Sequence, residues 1–396
     1  MTPASNTTWQ ADPALTLPDY AGGSLVNLMS SIATALGGAS PYSPVSTLPP
    51  DALSGAHHLV LLVVDGLGHD FLFGRDGILR RHLRGSLTSV FPSTTASAIP
   101  TFLTGLAPQQ HGLTGWNMYF REVGAIVTPL PFRIRTGRHA LREAGVTPAQ
   151  LFGLPPLFDR LPLPCHVVSP RQIIHSDFNV ALSGKATRHA YESVDGMFAL
   201  IAGLLRIPAP RSYIHAYWPE IDALAHEFGI GSAPVADAFA ALDTAFGKLL
   251  EVAHASGSRI IVTADHGFID ADETIDLDDH PGLRDTLLLP LCGEPRAAYA
   301  YVRSGRERQF ENYVRTHLAD RVHLLRSDEI LRQGWLGPGS PHPALRDRLG
   351  DYVLLPRGRA ILRDWLMGEE HYRHVGMHGG LSAAEMIVPL VVAPLP

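Results

Sequence analysis

Lysine is almost missing from this 396-residue chain: of 32 basic side chains, only Lys185 and Lys248 are lysines. Schiff-base catalysis and the lysine-bearing P-loop therefore have almost no candidates. Cysteine is as scarce. Cys165 and Cys292 alone cannot build a disulfide framework or a cysteine-rich metal site, and two free thiols in a reducing compartment is the plain expectation. No basic residue precedes Arg75, so the amino terminus lacks the positive segment of a secretory signal. The apolar run Leu59–Val64 falls far short of the ~18 residues of a membrane span. An excess of positive charge is lacking too. With 32 basic against 38 acidic residues the net charge is −6, and no basic block occurs. That balance argues against a nucleic-acid polymer as partner. The expectation is a soluble, cytoplasmic chain with no membrane contact.

What the chain does have is material for a large core, with 45% hydrophobic and 18% charged residues. The length fits two or three domains, or one large α/β unit carrying an insertion. Residues 1–20 are polar with scattered prolines and read as a flexible arm. Ser24 then offers a cap to an amphipathic packing helix closed by Gly37 and Gly38. His58–Val64, Ser212–Trp218 and Arg259–Ala264 are continuous apolar runs of the kind buried on both faces of a parallel sheet. Val235–Ala255 carries Phe239, Leu242, Phe246 and Leu249 near 3.6 spacing and feeds the third run across Ser256-Gly257. Between residues 275 and 364 the pattern changes to short strands (Ala297–Val302, Val322–Leu325, Tyr352–Leu355) around a helix at Arg306–Leu318. The reading is α/β: a catalytic domain over 21–274 and 365–396, with a small α/β subdomain inserted over 275–364. Met386–Pro396 reads as a final core strand.

Several chemistries drop out on inspection. Gly66-Leu-Gly68 follows a strand, but the third glycine of a dinucleotide fingerprint is replaced by Phe71. No G-x-S-x-G elbow and no H-E-x-x-H occurs. What remains is a set of aspartates and histidines, each just past an apolar run: Asp65, then Asp222 with His226, then Asp265 with His266, and finally His378 between Met377 and Gly379. In an open α/β sheet, the carboxyl ends of the strands line the ligand crevice. Mixed carboxylate and imidazole ligation suits zinc, and also manganese or iron. Singly, each member has an ordinary explanation. Asp65 could cap a helix, Asp222 and His226 could be a solvated i,i+4 pair, and His378 could be a loop histidine. Their shared placement after strands gives the set its force. His57, His58, His111, His175 and His215 read as surface or satisfied core positions.

A nucleophile candidate lies in Val90-Phe-Pro-Ser-Thr-Thr-Ala-Ser-Ala-Ile-Pro-Thr-Phe-Leu-Thr-Gly105. A hydroxyl at a helix entrance meets backbone N–H groups and the positive end of the dipole, a ready place for phosphate. Ser93, Thr94 or Thr95 could equally be a simple cap. Pro100 is best tolerated in the first turn, which keeps Thr94–Ser97 at the entrance.

The ordered series Val63-Val-Asp65-Gly, Thr94-Thr95 leading to Thr104-Gly105, Pro108-x-x-His111-Gly112, Asp222-x-x-x-His226, Thr263-Ala-Asp265-His266-Gly267 and His378-Gly379 resembles the alkaline phosphatase superfamily. Its nucleotide pyrophosphatase/phosphodiesterase (type I phosphodiesterase) branch is the nearest pattern, over roughly residues 58–390. The resemblance implies an alkaline-phosphatase-like sandwich whose mostly parallel central sheet is flanked by helices. It implies two divalent ions, zinc first, with manganese or iron as alternatives. Asp222, His226 and His378 would hold one, and Asp65, Asp265, His266 and the bridging nucleophile the other. Counting back from Thr104-Gly105 places that nucleophile at Thr95.

The implied reaction is phosphoryl or nucleotidyl transfer through a covalent threonine intermediate on a small phosphodiester or nucleotide substrate. A phosphomonoesterase or phosphonate hydrolase using the same two-metal site is the alternative. The family's phosphate-contacting asparagine is sought three residues past the nucleophile, where this chain has Ala98. Asn117 is the residue offered in its place, and Trp116 as a surface on which a base could stack. Cys292-Gly-Glu-Pro-Arg296 has the wrong spacing for a sulfatase formylglycine motif, so sulfatase chemistry is rejected.

Overall fold

The computed structural model describes residues 12–137, 139–208, 210–369 and 373–393. Its centre is a seven-stranded sheet: β1 (His58–Val64), β2 (Leu83–Thr88), β3 (Cys165–Pro170), β4 (Thr187–Tyr191), β5 (Ser212–Trp218), β6 (Arg259–Thr263) and β7 (Ile387–Ala393). The spatial order is β2-β7-β6-β1-β5-β3-β4. β1 runs parallel to both β5 and β6, whereas β7 runs antiparallel to its neighbours β2 and β6. Every residue of β1 is buried, which is why that strand reads as an unbroken apolar run rather than an alternating one. Burying the side chains of Leu59–Val64 contributes on the order of 10 kcal/mol of transfer free energy.

Register matters for function. Val63 lies opposite Tyr217 and Thr263, and Val64 opposite Trp218, so β1, β5 and β6 end on one rim. The expected strand to Ala264 stops at Thr263, one residue short. Two helices frame that rim. One is α1 (Thr95–Thr104) and the other α2 (Glu220–Phe228), which starts two residues after β5. α3 (Ala233–Ala255) returns along the sheet with Phe239, Leu242, Phe246 and Leu249 buried, then delivers the chain to β6. Pro100 falls at the sixth position of α1, not in the first turn, because the helix begins at Thr95.

Between 275 and 364 the chain forms a separate four-stranded antiparallel sheet, ordered Cys292–Glu294, Ala297–Ala300, Tyr352–Pro356, Val322–Arg326. Helix Glu307–His317 packs on it through Phe310 and Val314, in a core distinct from that of the central sheet. At its root, Glu273–Asp276 pairs in parallel with Ala360–Arg363.

The flexible arm expected over 1–20 falls outside the described residues for 1–11, and 12–20 are docked rather than loose. Thr16 N donates to Leu381 O (2.7 Å), Asp19 N to Thr88 Oγ1 (2.9 Å) and Tyr20 OH to Trp335 O (3.0 Å). The polar composition conceals this because the tie is made by backbone groups and a tyrosine tip, which need no apolar pattern. No helix among the described residues is long and apolar enough to cross a membrane.

Candidate active site

Because β5, β1 and β6 are adjacent, the residues just past their ends meet. Asp65 follows β1, Asp265 and His266 follow β6, and α2 carries Asp222 and His226 one turn apart on a single face. His378 arrives from the loop after strand Gly376–Met377. The result is two overlapping groups of ligand atoms.

In the first, Asp222 Oδ1 lies 3.4 Å from His226 Nε2 and 3.5 Å from His378 Nε2, and the two imidazole nitrogens are 3.2 Å apart. In the second, His266 Nε2 lies 3.3 Å from Asp65 Oδ1, 3.4 Å from Asp265 Oδ2 and 3.1 Å from Thr95 Oγ1. Thr95 Oγ1 sits 3.4 and 3.5 Å from the Asp65 oxygens. Asp222 also reaches toward the second group, with Oδ1 3.9 Å from His266 Nε2. The His266 and His378 rings stack at 3.6 Å and 14°, which sets the two groups side by side.

These separations test whether a metal ion fits. Ligands held tetrahedrally at 2.0–2.1 Å from a zinc ion stand about 3.3–3.4 Å from one another, from the geometry of the tetrahedron. The distances above bracket that value. Asp222 Oδ1 and Asp265 Oδ2 are both buried without a hydrogen-bond partner among the described residues. A buried carboxylate oxygen aimed at imidazole nitrogens and left unbonded is costly unless a cation meets it. The residues present therefore fit divalent ions.

Neighbouring groups hold the candidate ligands in aim. Each histidine presents Nε2 to the site and places Nδ1 on a backbone carbonyl: His226 on Gly376 O (2.9 Å), His266 on Gly267 O (3.1 Å) and His378 on Ser93 O (3.1 Å). A carbonyl partner fixes the tautomer that leaves Nε2 as the electron-pair donor. Asp265 Oδ1 accepts from Gly66 N and from His266 N, and Tyr217 OH donates to Asp65 Oδ2.

Electrostatics agree with ligation. Burial, then repulsion from Asp222 and Asp265, pushes Asp65 well above the usual carboxylate range. Burial, then repulsion from Asp265 and Glu294, does the same to Asp222. Burial drives His226 down to about 3 and lowers His266 and His378. Neutral imidazoles beside crowded carboxylates are the donor set that a bound cation stabilises.

The two adjacent threonines part company. Thr95, the first residue of α1, faces Asp65 and His266. Thr94, the N-cap by position, turns its hydroxyl away from the helix and onto the buried Glu294 (2.7 Å).

Asn117 is tied up: its backbone pairs with Gly293 and its Oδ1 accepts from Thr128 Oγ1 (3.2 Å). Trp116 is exposed, with its N–H on Glu294 Oε1 (2.6 Å). His111 is a satisfied core residue between Thr101 Oγ1 and Leu113 N, as expected, whereas His215 is buried with neither ring nitrogen bonded among the described residues.

Sequence reading missed Tyr217, Glu294 and His374, whose ring lies 4.4 Å from that of His226. Only Glu294 left a trace, inside the Cys292–Arg296 stretch weighed as a sulfatase motif.

None of the curated proteins compared matches this chain. Among solved structures, murine ectonucleotide pyrophosphatase/phosphodiesterase 5 matches with a TM-score of 0.64 at 17% identity, over 84% of this chain and 87% of that one. Its human counterpart gives 0.63 at 16% over the same shares, and an inactive variant of the murine protein has been solved with AMP. Phosphonoacetate hydrolase from Sinorhizobium meliloti 1021 gives 0.59 at 20%, over 86% of this chain and 92% of that one. These likenesses place the fold as alkaline-phosphatase-like. The family model described as type I phosphodiesterase / nucleotide pyrophosphatase matches residues 59–381, and with that span the chain belongs to this family of metal-dependent phosphoester hydrolases.

Proposed function

We propose that the protein hydrolyses phosphodiester or phosphoanhydride bonds of small nucleotide-like substrates, with Thr95 as nucleophile. The carrying observation is the place of Thr95 Oγ1. It stands at the N-terminus of a ten-residue helix, 3.1 Å from His266 and 3.4 Å from Asp65, with the Asp222-His226-His378 group alongside. Asp222, His226 and His378 would hold one divalent ion, zinc by donor type. Asp65, Asp265, His266 and Thr95 would hold a second. Such ions supply Lewis acidity toward phosphoryl oxygens and lower the pKa of a bound hydroxyl.

The chain's own residues then divide the work. Thr95 Oγ, giving up its proton, attacks phosphorus in line, forming an O–P bond as the bond to the leaving oxygen breaks and that oxygen takes up a proton. Water afterwards forms its own bond to phosphorus as the bond from phosphorus to Thr95 Oγ breaks, and the Thr95 hydroxyl is restored. Asp65 and His266 both face the Thr95 hydroxyl as acceptors for its single hydrogen. The N–H groups at the start of α1 face the equatorial oxygens, where the helix dipole favours negative charge.

A diester or phosphoanhydride substrate agrees with the family match over residues 59–381. That another member of the fold has been solved with AMP agrees with a nucleotide-sized substrate.

The test pairs bis-(nitrophenyl) phosphate with nitrophenyl phosphate and phosphonoacetate, for wild type and Thr95→Ala, with metal analysis of each sample. The expectation is faster cleavage of the diester and at least a roughly thousandfold loss in the variant. Unchanged turnover in Thr95→Ala would sink the nucleophile assignment. Preference for the monoester or the phosphonate would sink the diesterase reading.

A further inference from the structure

Glu294 is almost completely buried, and a carboxylate beside a phosphate site opposes its ligand unless it does something there. Its Oε1 accepts two hydrogen bonds, from Thr94 Oγ1 at 2.7 Å and from Trp116 N at 2.6 Å. An N-cap threonine ordinarily turns its hydroxyl onto the first turn of its own helix. Thr94 makes no such cap, so the helix gives up that stabilisation and the hydroxyl is committed to Glu294.

The strand carrying Glu294 is pressed backbone to backbone against the 115–117 segment. A side chain on Gly115 would stand 2.7 Å from Gly293 Cα, and Gly293 N donates to Asn117 O at 2.6 Å. A Cβ on Gly379, next to His378, would meet Glu294 Cβ at 2.9 Å. Two residues on, buried Arg296 forms a bidentate pair with Glu385, whose Oε1 accepts from Gly380 N at 2.8 Å. One hairpin thus grips the nucleophile helix with one side chain and the His378 loop with another.

We infer that Glu294, presented by the hairpin of the 275–364 segment, is the positioning residue that fixes Thr94, and through it the Thr95 nucleophile, against the ligand cluster. The inference rests on the reading of Thr95 as nucleophile. Glu294 itself touches neither the reacting atoms nor the ligands; it works by holding the peptide that carries Thr95. Small displacements of a nucleophile carry large kinetic consequences, about 10²-fold for 1 Å.

The experiment measures kcat, KM, metal content and thermal midpoint for Glu294→Ala, Glu294→Gln, Thr94→Val and Glu294→Ala/Thr94→Val, with Thr95→Ala as control. Glu294→Ala is expected to lose about 10- to 100-fold in kcat, with KM and bound metal close to wild type. Because both donors converge on one oxygen, the amide oxygen of Glu294→Gln is expected to restore most of that loss. Thr94→Val cuts the same contact from the helix side with little change of shape, so it reproduces the loss even where Glu294→Ala folds poorly. The double variant is expected to fall no further than either single one.

Wild-type kcat in Glu294→Ala or Thr94→Val, multiplied losses in the double variant, failure of Glu294→Gln to recover, or a loss that follows metal content each overturns the inference. Thr95→Ala with turnover intact instead overturns the nucleophile reading, so the two failures are distinct.

Discussion

Removing one oxygen from Tyr217 tests whether the cluster works as a metal site. Tyr217 lies at the end of β5, and its hydroxyl donates to Asp65 Oδ2, leaving Oδ1 to face His266 Nε2 at 3.3 Å. Tyr217→Phe keeps the ring and the backbone carbonyl that accepts from Tyr191 OH, so packing is preserved. Asp65 loses the bond that fixes its rotation and one of the contacts that lower its pKa against strong burial and two neighbouring carboxylates. A ligand that turns more freely and binds protons more readily competes less well for a cation. Loss of such an outer partner typically weakens metal binding 10- to 100-fold, about 1.4–2.7 kcal/mol. The measurement is chelator-competed zinc binding near neutral pH, beside kcat at limiting and saturating zinc. The loss should appear in affinity, with kcat largely recovered at saturation, because the hydroxyl orients a ligand rather than contacting substrate. Unaltered zinc affinity would refute the argument that Asp65 is a ligand held by Tyr217.

Two further outcomes follow from buried charge. Arg296→Met removes one partner of the Arg296–Glu385 pair and strands a buried carboxylate, so unfolding stability by denaturant titration should fall by about 3–5 kcal/mol. A change within error would mean that Glu385 is held by Ser382 and Gly380 alone. Burial holds the Glu294 carboxyl up to about 7 from an ordinary value of 4.5, so the folded chain binds more protons than the unfolded one between those values. Its contribution to stability is therefore lost as pH rises from 4.5 to 7, by at most on the order of 3 kcal/mol. Glu294→Gln does not titrate, so in chelator its stability relative to wild type should improve from pH 5 to pH 8. A constant difference would count against the raised value.

Much of the site is legible in the chain because buried parallel strands announce themselves as unbroken apolar runs, and the rim residue is simply the next polar one. Asp65 and Asp265 are found that way, and the i,i+4 spacing of Asp222 and His226 predicts the shared face that the structure displays. The threonine pair shows where helix-cap reasoning stops. Thr94 and Thr95 are neighbours of one type at one helix start, and only the resemblance, through the count back from Thr104-Gly105, separates them in the sequence. In the structure the Thr94 hydroxyl bonds Glu294, 200 residues away, while the Thr95 hydroxyl faces Asp65 and His266.

Glu294 was hidden for a related reason. A lone acid in a short strand has no periodicity to stand out from, and its meaning comes from the strand that packs against it. Tyr217 is hidden too, as one aromatic within a run that reads as core. The candidate ligands are legible from sequence order: Asp65, Asp265, His266 and His378 come just past strand ends, and Asp222 and His226 share a helix face by their spacing. The residues that hold them are not, because their roles are set by which elements touch. On the positioning role proposed for Glu294, the 275–364 segment, with its own small core, acts on the nucleophile helix and the His378 loop through two side chains of a single hairpin. A deletion that trims it back to its root would be expected to cost turnover even where the central sheet stays folded.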